Sequence, residues 1–179
     1  LNVSPFNDWA TFQETKNPST ILILFTLFHV ALSPIGILAG FIAVFGLLAY
    51  KLLPGWTRWF LVTTLLASIT GYFFPVHRLL PSHIVGLISI ISLSVALYAL
   101  YGKKLAGGWR RTYAITATLS LYLNFFVLIV QLFEKVPALK ALAPTQSEPP
   151  FKIAQLTPLV VFILLTILSA VRFRGERLA

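Results

Sequence analysis

From Ser19 to Tyr50 the chain carries no Asp, Glu, Lys or Arg. Hydrocarbon is the natural surroundings of such a run, because about twenty apolar residues are enough to cross a bilayer as a helix. Four further runs follow, at about 57–75, 83–101, 110–133 and 153–171. The expected fold is therefore all-α, a polytopic transmembrane helical bundle with five spanning helices. Composition agrees: 58% of residues are hydrophobic and 11% charged, against roughly a quarter charged in soluble domains. One compact membrane domain is expected over 28–172.

The first run is too long for a straight crossing. As one helix it would measure roughly 48 Å at about 1.5 Å per residue. Pro34 lies inside it and is expected to kink it or split off an outer part. The spanning portion is placed at 28–50, with 1–27 as an outer N-terminal segment. Within that segment Phe6, Trp9 and Phe12 fit one face of an interfacial helix. The run has neither a basic flank before it nor a small-residue cleavage site after it, so a retained helix is expected rather than a signal peptide. Connections are marked by "LLPGW" (52–56), "FFPVHRLLPSH" (73–83) and "YGKKLAGGWRR" (101–111). Ser82 is a candidate N-cap for the third helix. Thr157 and Pro158 form a candidate cap and first-turn pair for the fifth, although 151–156 could equally extend that helix outward.

Lys and Arg are divided unequally between the two ends. Lys51, Arg58, Lys103, Lys104, Arg110, Arg111, Arg172, Arg174 and Arg177 fall on one side; Lys16, Arg78, Lys135, Lys140 and Lys152 fall on the other. Asp8, Glu14, Glu134 and Glu148 join the second group. The positive-inside bias then puts the N-terminus outside and the 173–179 tail in the cytoplasm. Trp56, Trp59 and Trp109 mark the inner interface, and Trp9 with Tyr72, Phe73 and Phe74 the outer one. The net charge of +9 is clustered between apolar runs instead of forming a continuous basic face, which argues against a nucleic-acid partner.

On this topology the segment 134–152 is an outer loop, longer than joining two antiparallel helices requires. Pro144, Pro149 and Pro150 are expected to hold it extended. With Gln146 and Glu148 they make a candidate partner-contact strip, a cap over the bundle, or a solvated connector. Small residues let helices approach closely in lipid. Gly36 and Gly40, Ala67 and Gly71, and Gly86 read as seams inside the bundle; a homodimer through Gly36 and Gly40 is the alternative.

Two sets of residues carry candidate chemistry. Thr116, Ser120 and Asn124 recur every fourth position and Gln131 lies seven beyond, so all four share one helix face. That stripe should look inward, as hydrogen bonding between helices or as the wall of a polar pocket. His29, His77 and His83 all fall toward the outer half. Three histidines could hold a metal; His29 with His83 could be the axial ligands of a haem, and a pigment or a quinone headgroup would fit the same pocket. His29, His83, Asn124 and Gln131 are the candidate cofactor residues. No catalytic or metal set is assigned. The chain lacks Cys, which removes thiolate chemistry, and no acidic residue lies within a membrane core, which disfavours a proton-coupled transporter.

The stretches "FHVALSPIGILAGF" (28–41), "LASITGYFFP" (66–75), "LYLNFFVLIVQLFEKVPALKALAPTQSEPPF" (121–151) and "IAQL" (153–156) resemble a group of small uncharacterised bacterial inner-membrane proteins. The resemblance covers most of 28–172 and is most specific around "NFFVLIVQ" and "ALAPTQSEPPF". It implies a bundle of four or five helices in a bacterial inner membrane and supplies no catalytic residue. The leading expectation is a non-enzymatic accessory or structural subunit packed with other membrane subunits in a larger complex, of which an electron-transfer or photosynthetic one is an example. A binder of haem, pigment or quinone is the second expectation, and a small transporter the third.

Overall fold

The computed structural model of the chain describes residues 20–74 and 81–173. Trp9, the 6–14 segment, His77, Arg78 and the tail from 174 lie outside the described residues. Within them the chain is helical throughout, with no strand. The elements are α1 (Thr20–Leu48), α2 (Pro54–Thr70), α3 (Pro81–Leu97), α4 (Trp109–Lys135), a short α5 (Pro137–Leu142) and α6 (Pro149–Arg172). A 3-10 turn, Gly71–Phe73, prolongs α2, and a wide turn, Tyr98–Gly102, prolongs α3. Four segments are long and apolar enough to cross a membrane: α1, His83–Gly102, α4 and α6. With its 17 residues α2 is shorter.

Three expectations are corrected. First, α1 is one helix of 29 residues that runs through Pro34 without splitting off an outer part. Proline inside a membrane helix removes one hydrogen bond but does not force a break, because neighbouring helices hold the chain in register. Second, of the two starts left open for the last helix, the cap at Thr157 is set aside and the outward extension through 151–156 holds: α6 begins at Pro149, and Pro158 lies within it. Pro149 opens the helix, where a missing N–H costs nothing. Third, the 134–152 segment is not an extended strip. Helix α4 runs on to Lys135, α5 takes up 137–142, and only 143–148 lies between α5 and α6. Pro137 and Pro149 start helices here, so they shape helix ends where an extended, stiffened chain was expected. Ser82 likewise lies within α3, one residue after its start.

Helix α4 is the central pillar. It packs against α1, α3 and α6 and touches α2, while α1 packs most extensively on α2. Phe60, Leu61, Leu93, Ala96, Tyr113, Ala114, Ala117 and Leu121 are almost wholly buried in the main core. The polar composition of α4 suits this place, since a helix with neighbours on several sides can pair its hydroxyl and amide groups inside the protein. A second, smaller cluster joins Ile129, Phe133 and Ala143, with Phe151 and Leu139 packed on it. It fixes α5 and the following turn onto the α4–α6 pair.

Two glycines set the closest approach. A methyl group on Gly40 would lie 2.5 Å from Leu121 Cδ1 and 2.8 Å from the Phe60 ring. One on Gly36 would lie 2.8 Å from Thr64 Oγ1, 3.0 Å from Thr63 Oγ1 and 3.1 Å from Asn124 Nδ2. The Gly36–Gly40 face is therefore filled by α2 and α4 of the same chain, as the intramolecular seam requires. Ala67 is half-buried. Gly71 and Gly86 make looser contacts, with His29 at 3.5 Å and the Tyr72 hydroxyl at 3.2 Å.

Candidate functional site

The centre of the bundle is polar at the level of Asn124. Ser33 Oγ, from α1, donates to Asn124 Oδ1 at 2.6 Å. Asn124 Nδ2 donates in turn to Thr64 Oγ1 of α2 at 3.4 Å. Gly36 makes the meeting possible, because its missing side chain leaves room for Thr63, Thr64 and Asn124 in one layer. The amide is buried at 9% exposure. An amide in hydrocarbon has no water to turn to, so three helices are tied together by its oxygen and nitrogen.

The same stripe continues toward the basic end. Ser120 is fully buried and donates to Thr116 O, and Thr116 donates to Thr112 O. These are bonds within one helix, which quiet the hydroxyls without joining a neighbour. Other hydroxyls do join neighbours: Ser92 donates to Thr116 O at 2.9 Å, and Thr118 and Ser169 lie 3.3 Å apart. The hydroxyls of Ser68 and Ser89 are 3.2 Å apart. Gln131 departs from the expected stripe. It is exposed, although the spacing puts it on the Asn124 face. Seven residues carry it about 10 Å along the axis, where its side chain is left uncovered.

The histidines sit at the end of the bundle opposite the basic one, on either side of the turn that follows α2. His29 Nδ1 lies 2.8 Å from Thr70 Oγ1. Thr70 has a single hydroxyl proton; with that proton on Leu66 O, 2.6 Å away, the neutral His29 ring donates through Nδ1 and keeps its lone pair on Nε2. The ring also meets Phe74 edge-on at 5.0 Å. His83 packs on Tyr72 at 5.4 Å between ring centroids, and the Tyr72 hydroxyl donates to its backbone carbonyl at 2.5 Å. Each of the two histidines thus has its own aromatic neighbour. Among the described residues no three of His, Cys, Asp and Glu gather as a metal site would need.

The expected partner-contact residues form an ordered turn. Glu148 accepts from Thr145 N, Ser147 N and the Thr145 hydroxyl at 2.9–3.1 Å. Slight burial raises its pKa, but these hydrogen bonds outweigh that and hold the carboxyl below its ordinary 4.5. Gln146 Nε2 donates to Val130 O, and Gln155 Nε2 to Phe126 O. Two glutamines therefore clip onto carbonyls one turn apart on α4. Pro144, Pro149 and Pro150 are exposed.

Residue-by-residue reading missed Ser33, Thr64, Thr70 and Gln155. The signal was present in α2, where Thr57 with Thr64 and Thr63 with Thr70 form two pairs at seven-residue steps on adjoining sides of the helix. Comparison with known protein families, with curated proteins and with solved structures finds no match.

Proposed function

We propose that this chain is a non-catalytic subunit of a larger membrane assembly, crossing the bilayer with five helices, its N-terminus outside and its C-terminus in the cytoplasm. A bacterial inner membrane is the setting the resemblance implies. On this reading α2, prolonged by its 3-10 turn, is the fifth spanning helix. The observation that carries the proposal is the outer end of α1. At 29 residues that helix is about 43 Å long, against about 30 Å of hydrocarbon. Its outermost turns pass the end of its hairpin partner, where Phe25 meets Phe74. They carry exposed Ile21 (80%), Ile23 (45%) and Leu24 (61%). Apolar side chains raised above the lipid level need a protein surface to cover them. The interior, meanwhile, uses its amide and hydroxyls to hold itself together. Purification in mild detergent followed by native electrophoresis tests the proposal. Co-migration with another chain, lost in Ile21→Ser/Leu24→Ser with helicity retained, supports it. Migration of the wild-type chain only at its own 19.9 kDa plus detergent overturns it.

A second reading rests on His29. Its Nδ1–H is anchored by Thr70, which is itself anchored to the backbone. Metal-binding imidazoles are commonly oriented in this way by a partner on the other nitrogen. A lipophilic metal-porphyrin taken through Nε2 is the ligand this geometry favours. A visible absorption band in the purified protein that disappears in His29→Ala supports it, and a featureless spectrum from native membranes refutes it.

A further inference from the structure

We propose that the basic end of the bundle is a binding face for anionic phospholipid headgroups, an inference that rests on the bilayer reading above. Seven of the ten described Lys and Arg residues lie at this end. Lys51 follows α1, Arg58 is in the first turns of α2, and Lys103 and Lys104 follow α3. Arg110 and Arg111 open α4, and Arg172 closes α6. The described acids, Glu134 and Glu148, are both at the opposite end, where Lys135 lies 3.7 Å from Glu134. No described carboxylate neutralises the basic end.

Helix polarity makes the imbalance worse. The start of a helix is already positive, and acids are the stabilising residues there. Neither α2 nor α4 has an acid in its first turn, and both have arginine near their start. Three of the cations are held in place at this face. Lys103 Nζ sits over the Tyr98 and Trp109 rings at 5.5 and 5.8 Å. Arg110 Nε donates to Leu105 O at 3.2 Å, and Arg172 Nη1 to Leu48 O at 3.4 Å. Trp56, Trp59 and Tyr101 are exposed on the same end, the residue types that settle at headgroup depth. Fixed, uncompensated positive charge in the plane of an aromatic belt matches a phosphodiester whose tail lies in the adjoining hydrocarbon. A dissolved polyanion would match the charge but has no use for the belt.

The full chain, purified in mild detergent, is offered an equimolar mixture of phosphatidylglycerol and phosphatidylcholine, and retained lipid is read by native mass spectrometry. Phosphatidylglycerol should be retained preferentially. Arg110→Gln/Arg111→Gln should lower its retention by about fivefold per charge, roughly twenty-five-fold in all, whereas Lys135→Gln/Lys140→Gln should leave it unchanged. Should the arginine variant lose its helicity, salt titration of the wild type decides: retention must fall as ionic strength rises. Equal retention of the two lipids, equal effects of the two variants, or indifference to salt overturns the inference. Displacement of the lipid by an oligonucleotide or by polyglutamate at equal charge also overturns it, in favour of a nucleic acid or an acidic protein. Flotation with phosphatidylcholine liposomes separates the two proposals. A chain that does not float refutes the bilayer reading, and one that floats without preferring phosphatidylglycerol refutes this inference alone.

Discussion

Replacing Gly36 by alanine tests the packing argument at its tightest point. The added methyl group would sit 2.8 Å from Thr64 Oγ1, 3.0 Å from Thr63 Oγ1 and 3.1 Å from Asn124 Nδ2. None of the three can step aside freely. Thr63 is bonded to Trp59 O at 2.7 Å, and Asn124 is held by Ser33 while itself holding Thr64. Overpacking of a filled site costs about 1–3 kcal/mol. Alanine returns about 0.8–1.0 kcal/mol of helix propensity. The net expectation is a loss of about 1 kcal/mol, within a span of about 0–2, or roughly fivefold in the unfolding equilibrium.

Gly71 supplies the matched control. Its backbone is helical, with φ −57°, and a methyl group there would lie 3.5 Å from His29 Cε1, an ordinary contact. Gly71→Ala should therefore be neutral or stabilising, by up to about 1 kcal/mol. Titration with sodium dodecyl sulfate in mixed micelles, followed by far-ultraviolet circular dichroism, measures both variants. A Gly36→Ala protein as stable as the wild type, or two glycine variants that shift in the same direction, would refute the close-packed layer.

Other expectations follow from single contacts. Asn124→Leu should cost about 1–2 kcal/mol in the same titration, since interhelical polar contacts in membranes average about 0.6 and reach about 1.7 kcal/mol each; an unchanged midpoint would remove Asn124 from the account. Glu148 has a depressed pKa in the folded chain, so its contribution is present above the ordinary 4.5 and lost as the pH falls through the folded value. Glu148→Gln should flatten that acid limb of the unfolding curve, and an identical limb in both proteins would show that the turn is indifferent to its charge. Orientation is accessible to labelling because the chain has no Cys. A membrane-impermeant maleimide applied to intact cells should modify Lys140→Cys and spare Lys104→Cys, and the reverse pattern would invert the topology.

How far the fold could be read from the residues depended on which physical rule was decisive. The apolar runs marked helices correctly because length and hydropathy suffice when lipid is the solvent. Pro34 suggests a kink or a split because an interior proline removes a helix hydrogen bond, and Pro158 suggests a helix start, with outward extension through 151–156 as the alternative; both prolines lie inside continuous helices. The prolines of 134–152 suggest a stiff strip only while their positions are ignored. Pro137 and Pro149 each stand where a helix begins. Asn124 was legible as an inward-facing amide from spacing alone. Its partners were not, because Ser33 and Thr64 are 91 and 60 residues away in sequence and only the folded chain brings them together. Gln131 shows the limit of spacing: it names a face of the helix but not whether a neighbour covers it there.

These observations also bear on why so apolar a chain keeps polar residues in its middle. Among lipid tails there is no hydrophobic force to select one helix arrangement over another, so selection falls to shape and to hydrogen bonds. Asn124 answers both requirements, because it reaches α1 and α2 at once and only where Gly36 leaves room. Sliding α1 by one turn would move Ser33 about 5.4 Å along the axis and break the 2.6 Å contact. In one direction it would also bring Leu32 to the place where Gly36 now admits three polar atoms; in the other it brings Gly40, and there the lost Ser33 bond alone marks the register. The layer thus works as a register mark for the α1–α2–α4 core. On that argument the loss of Asn124 and the loss of Gly36 should not add independently. The double variant Gly36→Ala/Asn124→Leu should be less destabilised than the sum of its parts, because each substitution removes the same layer. Strict additivity would mean that the glycine and the amide act separately.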